Sequence, residues 1–573
     1  MCVLWGLVSA AARTRGIFQQ KNIRASTKYT AREFLNITPM YIDLSLRRML
    51  PMLVIGMVLL VSVAATGNIK ERRYGSTPPV ASIGFAWQEL TLRVRYAIES
   101  SVWKTGQVAS AAFSFFSGEE EATRGGAGGR TARAIPVLTY HRIVGNRNDL
   151  NNVTVRNFSD QMFALKRAGW ETITLKEYME FMDGTRELPE RSFLITFDDG
   201  AKESFYPVDP LFDMLGYEGV IYVIASAMYT EKSTYYLSPN ELRRMLDTGR
   251  WEIGSHSYDG HRPYPTDRNG NTGIFFADKL WLEEESRLET TEEFTARVSN
   301  DLAHARKVLE DEYGVIVNTF AFPLGNETGI EGAANFPPGA GITEDEAEKL
   351  YDLGFLQTDN NNFTFNYLED RSFIARRIHV DHDWSGERLL RELEGGLPKE
   401  LPFEDDFSRD RGWIPAWGTL DLGTNNFLLR ADEGASSASA FLDGSALWAD
   451  YSFDATLNWQ DGSVFLLADL TNSKTYNACV FSPGTVRIQS TKNGETRVLA
   501  EIRDPKFAYG ESARMGIRVH GAVIECLWDY SSVVEAYSRA MSAKGGIGIQ
   551  VWNPELGSAA VQVWSILVRP FGS

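Results

Sequence analysis

The sequence predicts an α/β barrel followed by an all-β jelly-roll sandwich, behind an N-terminal transmembrane segment. Three observations predict this. Between residues 135 and 398, short apolar runs alternate with amphipathic helical stretches. From Phe403 onward, short strands of alternating pattern are separated by Gly, Asn and Asp turns. Residues 49–66, MLPMLVIGMVLLVSVAAT, contain no charge.

The 573 residues exceed what one core accommodates, and 43% hydrophobic content supplies buried surface for several. A net charge of −17 argues against nucleic acid as partner, because phosphate binding needs a basic surface. It is compatible with a neutral or cationic partner.

The 49–66 stretch is about the minimum length for a spanning helix. Residues 1–48 hold eight Lys/Arg against two acids, which places them in the cytoplasm and the bulk of the chain outside. Lys70, Arg72 and Arg73 follow the segment and reduce the asymmetry. The alternative is a signal peptide cut near Ala65, which also exports the rest, as a secreted protein. A buried core helix is the third reading. Residues 67–134 are a juxtamembrane segment ending in the linker GEEEATRGGAGGRTARA, 118–134.

The barrel region, 135–398, opens with IPVLTYH (135–141), an apolar run of the buried-strand kind. SFLITF (192–197) and GVIYVIA (219–225) are further strands. SPNELRRMLDTG (238–249) starts at a Ser cap and ends at Gly, as a helix does. WEIGSH (251–256) is strand-like, 290–314 is a long amphipathic helix ending at Gly, and VNTFAFP (317–323) is the next strand. The alternation implies a largely parallel sheet with helices outside.

The sandwich region, 402–573, carries Cys479 and Cys526, which either pair in an oxidising compartment or stay as buried thiols. Trp413, Trp417, Trp448, Trp459, Trp528 and Trp552 either pack in its core or stack on sugar rings, with core packing the better expectation for each.

Two constellations carry chemistry. ITFDDGA (195–201) places Asp198 and Asp199 at the end of an apolar strand, where parallel barrels build their sites. Neighbouring strand residues face opposite ways, but a turn at Gly200 lets both carboxylates reach one pocket. One then holds a metal and the other acts as base. Asp-Gly at a strand end is also a common turn. The second constellation is His256-Ser-Tyr-Asp-Gly-His261, directly after WEIGS. One carboxylate and two imidazoles form a facial set that leaves positions open for water and substrate. His141 ends the first strand and is expected to line the same mouth. The aromatic insert after His261 reads equally as a substrate-side lid or a plain surface loop.

TFDDG (196–200), the paired His residues of 256–261 and FAFPLG (320–325), in that order, resemble the motif series of NodB-type polysaccharide deacetylases, carbohydrate esterase family four. The likeness covers roughly 135–395. TYHRI (139–143) and the five-residue His spacing look most like the subgroup acting on poly-β-1,6-N-acetylglucosamine. The resemblance implies a distorted (β/α) barrel and hydrolysis of acetyl groups from an acetylated polysaccharide. It implies Asp198 as general base and Asp199, His256 and His261 as ligands of a divalent metal, Zn2+ first, with Ni2+, Co2+ or Fe2+ as alternatives. It further implies that Pro323 and Leu324 line the acetyl pocket, with the Leu324 N–H near the oxyanion. Two departures stand out. The Arg that orients the base in much of the family is replaced at Ala321, and Arg376 or Arg377 is the candidate substitute on the substrate side of the pocket. The motif carrying the usual general acid is absent, leaving His379 and His382 as candidates. The C-terminal part looks like the laminin-G or concanavalin-like jelly rolls appended to sugar-active enzymes. Peptidoglycan or a chitin-like polymer is the second substrate expectation. A non-catalytic glycan-binding surface protein is the rival reading.

Overall fold

A computed structural model describes residues 130–145, 152–230, 233–324, 335–358, 362–368, 372–538 and 544–572. The expected membrane segment, 49–66, and most of the juxtamembrane region lie outside these residues. Among the described residues no helix is long and apolar enough to cross a membrane.

Seven parallel strands close into a barrel. They are β1 (Val137–Tyr140), β2 (Ser192–Phe197), β3 (Gly219–Val223), β4 (Trp251–Ser255), β5 (Thr319–Ala321), β6 (Leu353–Thr358) and β7 (Ile374–His379). The ring runs β1-β7-β6-β5-β4-β3-β2 and returns to β1 through the pairing of β1 with β2. All six residues of SFLITF in β2 are buried, because the barrel interior covers one face and helices cover the other.

Strand parity decides what lies inside. Val137, Leu194, Val220, Tyr222, Ala321, Phe355 and Ala375 share one interior apolar cluster. Leu138, Phe193, Ile195, Phe197, Ile221 and Phe320 belong to the outer one, against the helices. Gly254 completes the interior, since a Cβ there would stand 2.2 Å from the Tyr222 ring. Continuing that parity past the strand ends puts His141, Asp198, His256 and His379 at the mouth.

The helices form where caps and periodicity agree. α1 (Val155–Arg167), α2 (Leu175–Met182), α3 (Asp209–Leu215), α4 (Pro239–Leu246), α5 (Thr291–Tyr313), α6 (Gly339–Glu348) and α7 (Gly386–Gly396) surround the barrel. α5 starts at a capping box, Thr290 with Glu293, and stops at Gly314, whose φ of 66° needs no Cβ.

The C-terminal part is all-β. One antiparallel sheet is ordered Thr419–Gly423, Asn426–Arg430, Ala560–Pro570, Tyr451–Trp459, Gly510–His520, Val523–Trp528, Ser531–Tyr537. The other is ordered Trp413–Trp417, Ser437–Leu442, Gly546–Trp552, Ser463–Asn472, Thr475–Ser482, Thr485–Lys492, Glu495–Arg503. Both contribute inward residues to one core, such as Phe453, Leu457, Leu466 and Phe481. Cys479 and Cys526 form a disulfide that joins the two sheets across this core. Trp413, Trp448 and Trp459 are buried in the core region, and Trp417 and Trp528 are half-buried. Of the six tryptophans considered for sugar stacking, only Trp552 is exposed.

The second sheet also rests on the barrel. Phe441, Phe465, Leu467 and Val480 join the barrel's outer apolar cluster. The junction carries a buried polar latch in which Thr364 donates to the Asp443 carboxylate and Lys399 donates to the Gly395 and Asp443 carbonyls.

Candidate metal centre

Asp198 follows β2 directly, and its backbone N–H donates to the Tyr140 carbonyl, 3.0 Å. Its side chain meets Arg377 end-on, with Nη1 to Oδ1 and Nη2 to Oδ2 both at 2.7 Å. The pair is almost wholly buried, 2% exposed for Asp198 and 1% for Arg377. Burial alone would raise the Asp198 pKa, but Arg377, then His256 and His141, hold it well below the usual carboxylate range. Asp198 is therefore a fixed anion at any ordinary pH.

Asp199 turns the other way. Its φ is +71° and that of Gly200 is +73°, so two consecutive left-handed residues swing the chain and bring the second carboxylate to the same mouth. Ser257 at +81° and Leu324 at +64° are likewise left-handed, after β4 and β5. Non-glycine residues held there cost about 1–3 kcal/mol each, and such strain clusters where function needs it.

His256 follows β4 directly, and its backbone N–H donates to the Val223 carbonyl, 3.0 Å. Nδ1 lies 2.8 Å from the Ala321 carbonyl, which fixes the proton on Nδ1 and leaves the Nε2 lone pair facing Asp199. Nε2 of His256 is 3.7 Å from Asp199 Oδ1, and Nε2 of His261 is 3.3 Å from the same oxygen. Burial pushes the His256 imidazole down to about 4, so it is neutral near pH 7. The loop between the two histidines is held by Asp301 of α5, whose two oxygens accept the Tyr258 and Asp259 N–H groups at 2.9 Å each.

The three side chains fit a divalent cation. One ligand atom from each lies within 4.8 Å of the other two. Asp199 Oδ1 is buried with no hydrogen-bond donor, although buried carboxylate oxygens ordinarily find one. Ligands around a tetrahedral ion at about 2.1 Å stand roughly 3.4 Å apart, the scale of these separations.

The remaining sequence-predicted residues divide. His141 and His379 stand side by side, ring centroids 5.7 Å apart, and His141 contributes to the field at Asp198. Burial, with His141 adding to it, lowers the His379 pKa. Pro323 is buried after β5, Leu324 is more than a third exposed, and Gly325 lies outside the described residues. Of the two arginines expected as substitutes for the one that orients the base, Arg377 is the one that meets Asp198, and neither stands on the substrate side. Arg377 is no substrate contact, because it is sealed beneath Asp198. Arg376 has the opposite parity on β7, and its guanidinium donates to the Phe365 carbonyl, 2.8 Å, away from the mouth. The His382 carbonyl accepts from the Asn157 side chain of α1, 2.9 Å.

The insert after His261 folds as two hairpins, Pro263–Pro265 with Thr272–Ile274 and Trp281–Leu282 with Arg287–Leu288. The buried side chains of Phe275 and Phe276 pin it.

Sequence reasoning missed Asp301 and Tyr235. The Tyr235 hydroxyl lies 3.4 Å from Asp199 Oδ2, and the Arg142 guanidinium covers its ring at 4.7 Å. Neither residue carries a local signal, since each reaches the site from a distant element.

Residues 185–330 match the family described as Polysaccharide deacetylase. This span takes in β2 to β5, hence both aspartates and both histidines, and stops short of Arg377. A poly-beta-1,6-N-acetyl-D-glucosamine N-deacetylase of Escherichia coli (strain K12) is 20% identical over 207 residues, 34% of this chain and 31% of the relative. The enzyme of that name from Staphylococcus aureus (strain MRSA252) is 24% identical over 205 residues, 33% of this chain and 63% of the relative. The chain thus spans less than two thirds of the length of either. A solved de-N-acetylase from Aggregatibacter actinomycetemcomitans covers 45% of this chain and 98% of its own at 16% identity, with a TM-score of 0.39.

Proposed function

We propose that this chain, whose barrel carries a polysaccharide deacetylase domain, hydrolyses acetyl groups from an N-acetylglucosamine-containing polysaccharide. The carrying observation is the convergence of Asp199, His256 and His261 beside an Arg-clamped second carboxylate.

Those three residues would hold a divalent cation. Two imidazoles and a carboxylate suit Zn2+, with Ni2+, Co2+ and Fe2+ as alternatives. When bound, the cation supplies Lewis acidity, lowering the pKa of water and polarising a carbonyl oxygen. Asp198 accepts the proton of the attacking water. Arg377 occupies one face of each carboxylate oxygen and leaves the other lone pairs aimed at the mouth. The clamp makes Asp198 a weak base, so its task depends on how acidic the water becomes. Cleaving the C–N bond leaves an amine that needs a proton, and the neighbouring imidazoles of His141 and His379 support a role for one of them in supplying it.

The names of the relatives support poly-β-1,6-N-acetylglucosamine as the first polymer to test. The inter-sheet disulfide supports an oxidising compartment, in keeping with a chain tethered through 49–66 and facing outward.

The test is metal analysis of the purified chain together with acetate release from three acetylated polymers: β-1,6-linked, chitin-like and peptidoglycan. The expected result is one bound divalent ion and release from the β-1,6 polymer. Asp198→Asn should keep the ion and lose about 10²- to 10⁴-fold in rate. A metal-loaded chain that releases acetate from none of the three would sink the reading and favour a glycan-binding surface protein.

A further inference from the structure

The sandwich has two unlike outer faces. That of the second sheet is covered by the barrel. That of the first sheet is polar. Its strand register sets Arg569, Ser452, Arg518 and Glu525 side by side across four strands. Two residues along, it sets Leu567, Asp454, Gly516 and Leu527 side by side.

Asp454 and Leu527 pack over Gly516 and border a depression in this face. A Cβ at Gly516 would stand 2.7 Å from Asp454 Oδ1 and 3.1 Å from Leu527, so a side chain there would push both away. The depression has a volume of about 330 Å³, and Ser452, Asp454, Arg518 and Arg569 supply its polar lining. Leu527 lies at its floor, on the outer face yet only 2% exposed. Tyr530 and Phe571 form its rim and remain 55% and 46% exposed. Tyr530 sits in a turn of two left-handed residues, Asp529 at φ +48° and Tyr530 at +64°. A bulky aromatic rarely adopts that conformation. Phe571 is held by stacking on His520, centroids 4.0 Å apart.

The chemistry of the lining selects a ligand class. Asp454 accepts one bond, from Ser452 at 3.2 Å, and Arg518 spends one nitrogen on Glu525 at 2.6 Å. Arg569 is exposed, and its charge acts on Asp454. Acceptor and donors therefore remain available together. Two arginines against Asp454 and Glu525 leave no net formal charge, so neither a polyanion nor a polycation is favoured. Fixed donors and acceptors beneath exposed aromatic rings suit a pyranose, which has a hydroxyl rim and apolar C–H faces.

We propose that this depression is a binding site for a neutral, hydroxyl-rich glycan, with a sugar ring against Tyr530 and Phe571 and its hydroxyls bridging Asp454, Arg518 and Arg569. The site lies in the sandwich and does not rest on the barrel's reaction. It gives the chain a hold on polymer that is separate from its catalytic mouth.

Affinity electrophoresis of the full chain tests this, using gels containing a neutral acetylated β-1,6-glucosamine polymer, a neutral β-glucan, the deacetylated cationic polymer, or heparin. Retardation by at least one neutral polymer is expected. Tyr530→Ala and Arg569→Ala, both at exposed positions, should each weaken it about tenfold, the size of one aromatic or charge-assisted contact. Acetate release from a short soluble oligomer should not change in either variant. Retardation by heparin or the cationic polymer alone, by no polymer, or equally for wild type and both variants, would overturn the proposal. The binding readout needs no turnover, so failure of the deacetylase reading shows separately, as absent acetate.

Discussion

At the barrel mouth, Asp199 keeps a buried carboxylate oxygen without any donor, and Asp198 is locked to an equally buried arginine. In the sandwich, the buried carboxylates are capped. Asp469 accepts from Asn477 at 2.8 Å, and Asp443 accepts from Thr364 and from the Gly444 N–H. Both regions also hold left-handed non-glycine residues. Left-handed non-glycine residues of the barrel mouth, Asp199, Ser257 and Leu324, sit where strands deliver side chains to one point. Many in the sandwich are Asn or Asp at strand turns, such as Asn425, Asp450 and Asn493, where a short polar side chain tolerates the conformation. The contrast separates buried carboxylates arranged for a cation, at the barrel mouth, from buried carboxylates arranged for local stability, in the sandwich core. An acid with an unfilled acceptor marks the first, and an acid with local donors marks the second.

The largest test of that contrast is Arg377→Met. Removing one partner of a buried ion pair leaves an uncompensated charge, and unfolding should become easier by about 3–5 kcal/mol. Thermal melting reads this, and an unchanged melting temperature would mean Asp198 finds other solvation. Replacing Cys479 and Cys526 together by Ala releases a loop of separation 47, at a cost of about 4 kcal/mol by loop entropy. Hydrogen exchange should show the loss in the sandwich strands, with metal binding at the mouth retained.

Acidification should move the two regions in opposite directions. His256 stands at about 4 in the folded, metal-free chain against about 6.5 unfolded. Its contribution is intact above pH 6.5 and is lost as pH falls toward 4. Burial raises Asp469 to about 6 against an unfolded value of about 3.9. Its stabilising proton is fully bound below about pH 4 and lost as pH rises through 6. Each effect is about 3 kcal/mol. Between pH 7 and 4.5, amide protection should fall around 251–261 and hold or rise around 463–480, and parallel loss in both would break the comparison. The smallest expected effect is that of Asp301→Asn. It removes charge from the group holding the 256–261 loop and should weaken metal affinity about 10- to 100-fold. The rate at saturating metal should stay near wild type.

Much of the fold could be read in advance. SFLITF and WEIGS are strands as their apolar runs require, and the 290–314 helix begins and ends at its caps. Placing two short motifs at strand ends grouped one carboxylate of the Asp198–Asp199 pair with His256 and His261, and the family resemblance implied that it is Asp199. The partner of Asp198 could not be settled that way. Arg376 and Arg377 are chemically equal neighbours, and only the parity of β7 against the closed barrel sends one to the carboxylate and the other to Phe365. Asp301 and Tyr235 were invisible, because their roles arise from segments tens of residues distant.

The sequence by itself determined the order of elements, the switch near residue 400 from helical to two-residue period, and the residues able to hold a cation. These are local properties, set by side-chain periodicity and chemistry. Only the tertiary structure decided the closure of seven strands, the choice of Arg377, the pairing of Cys479 with Cys526, and which face of the sandwich the barrel covers. Those depend on which distant strands become neighbours and which way each side chain then points, and no local pattern encodes either.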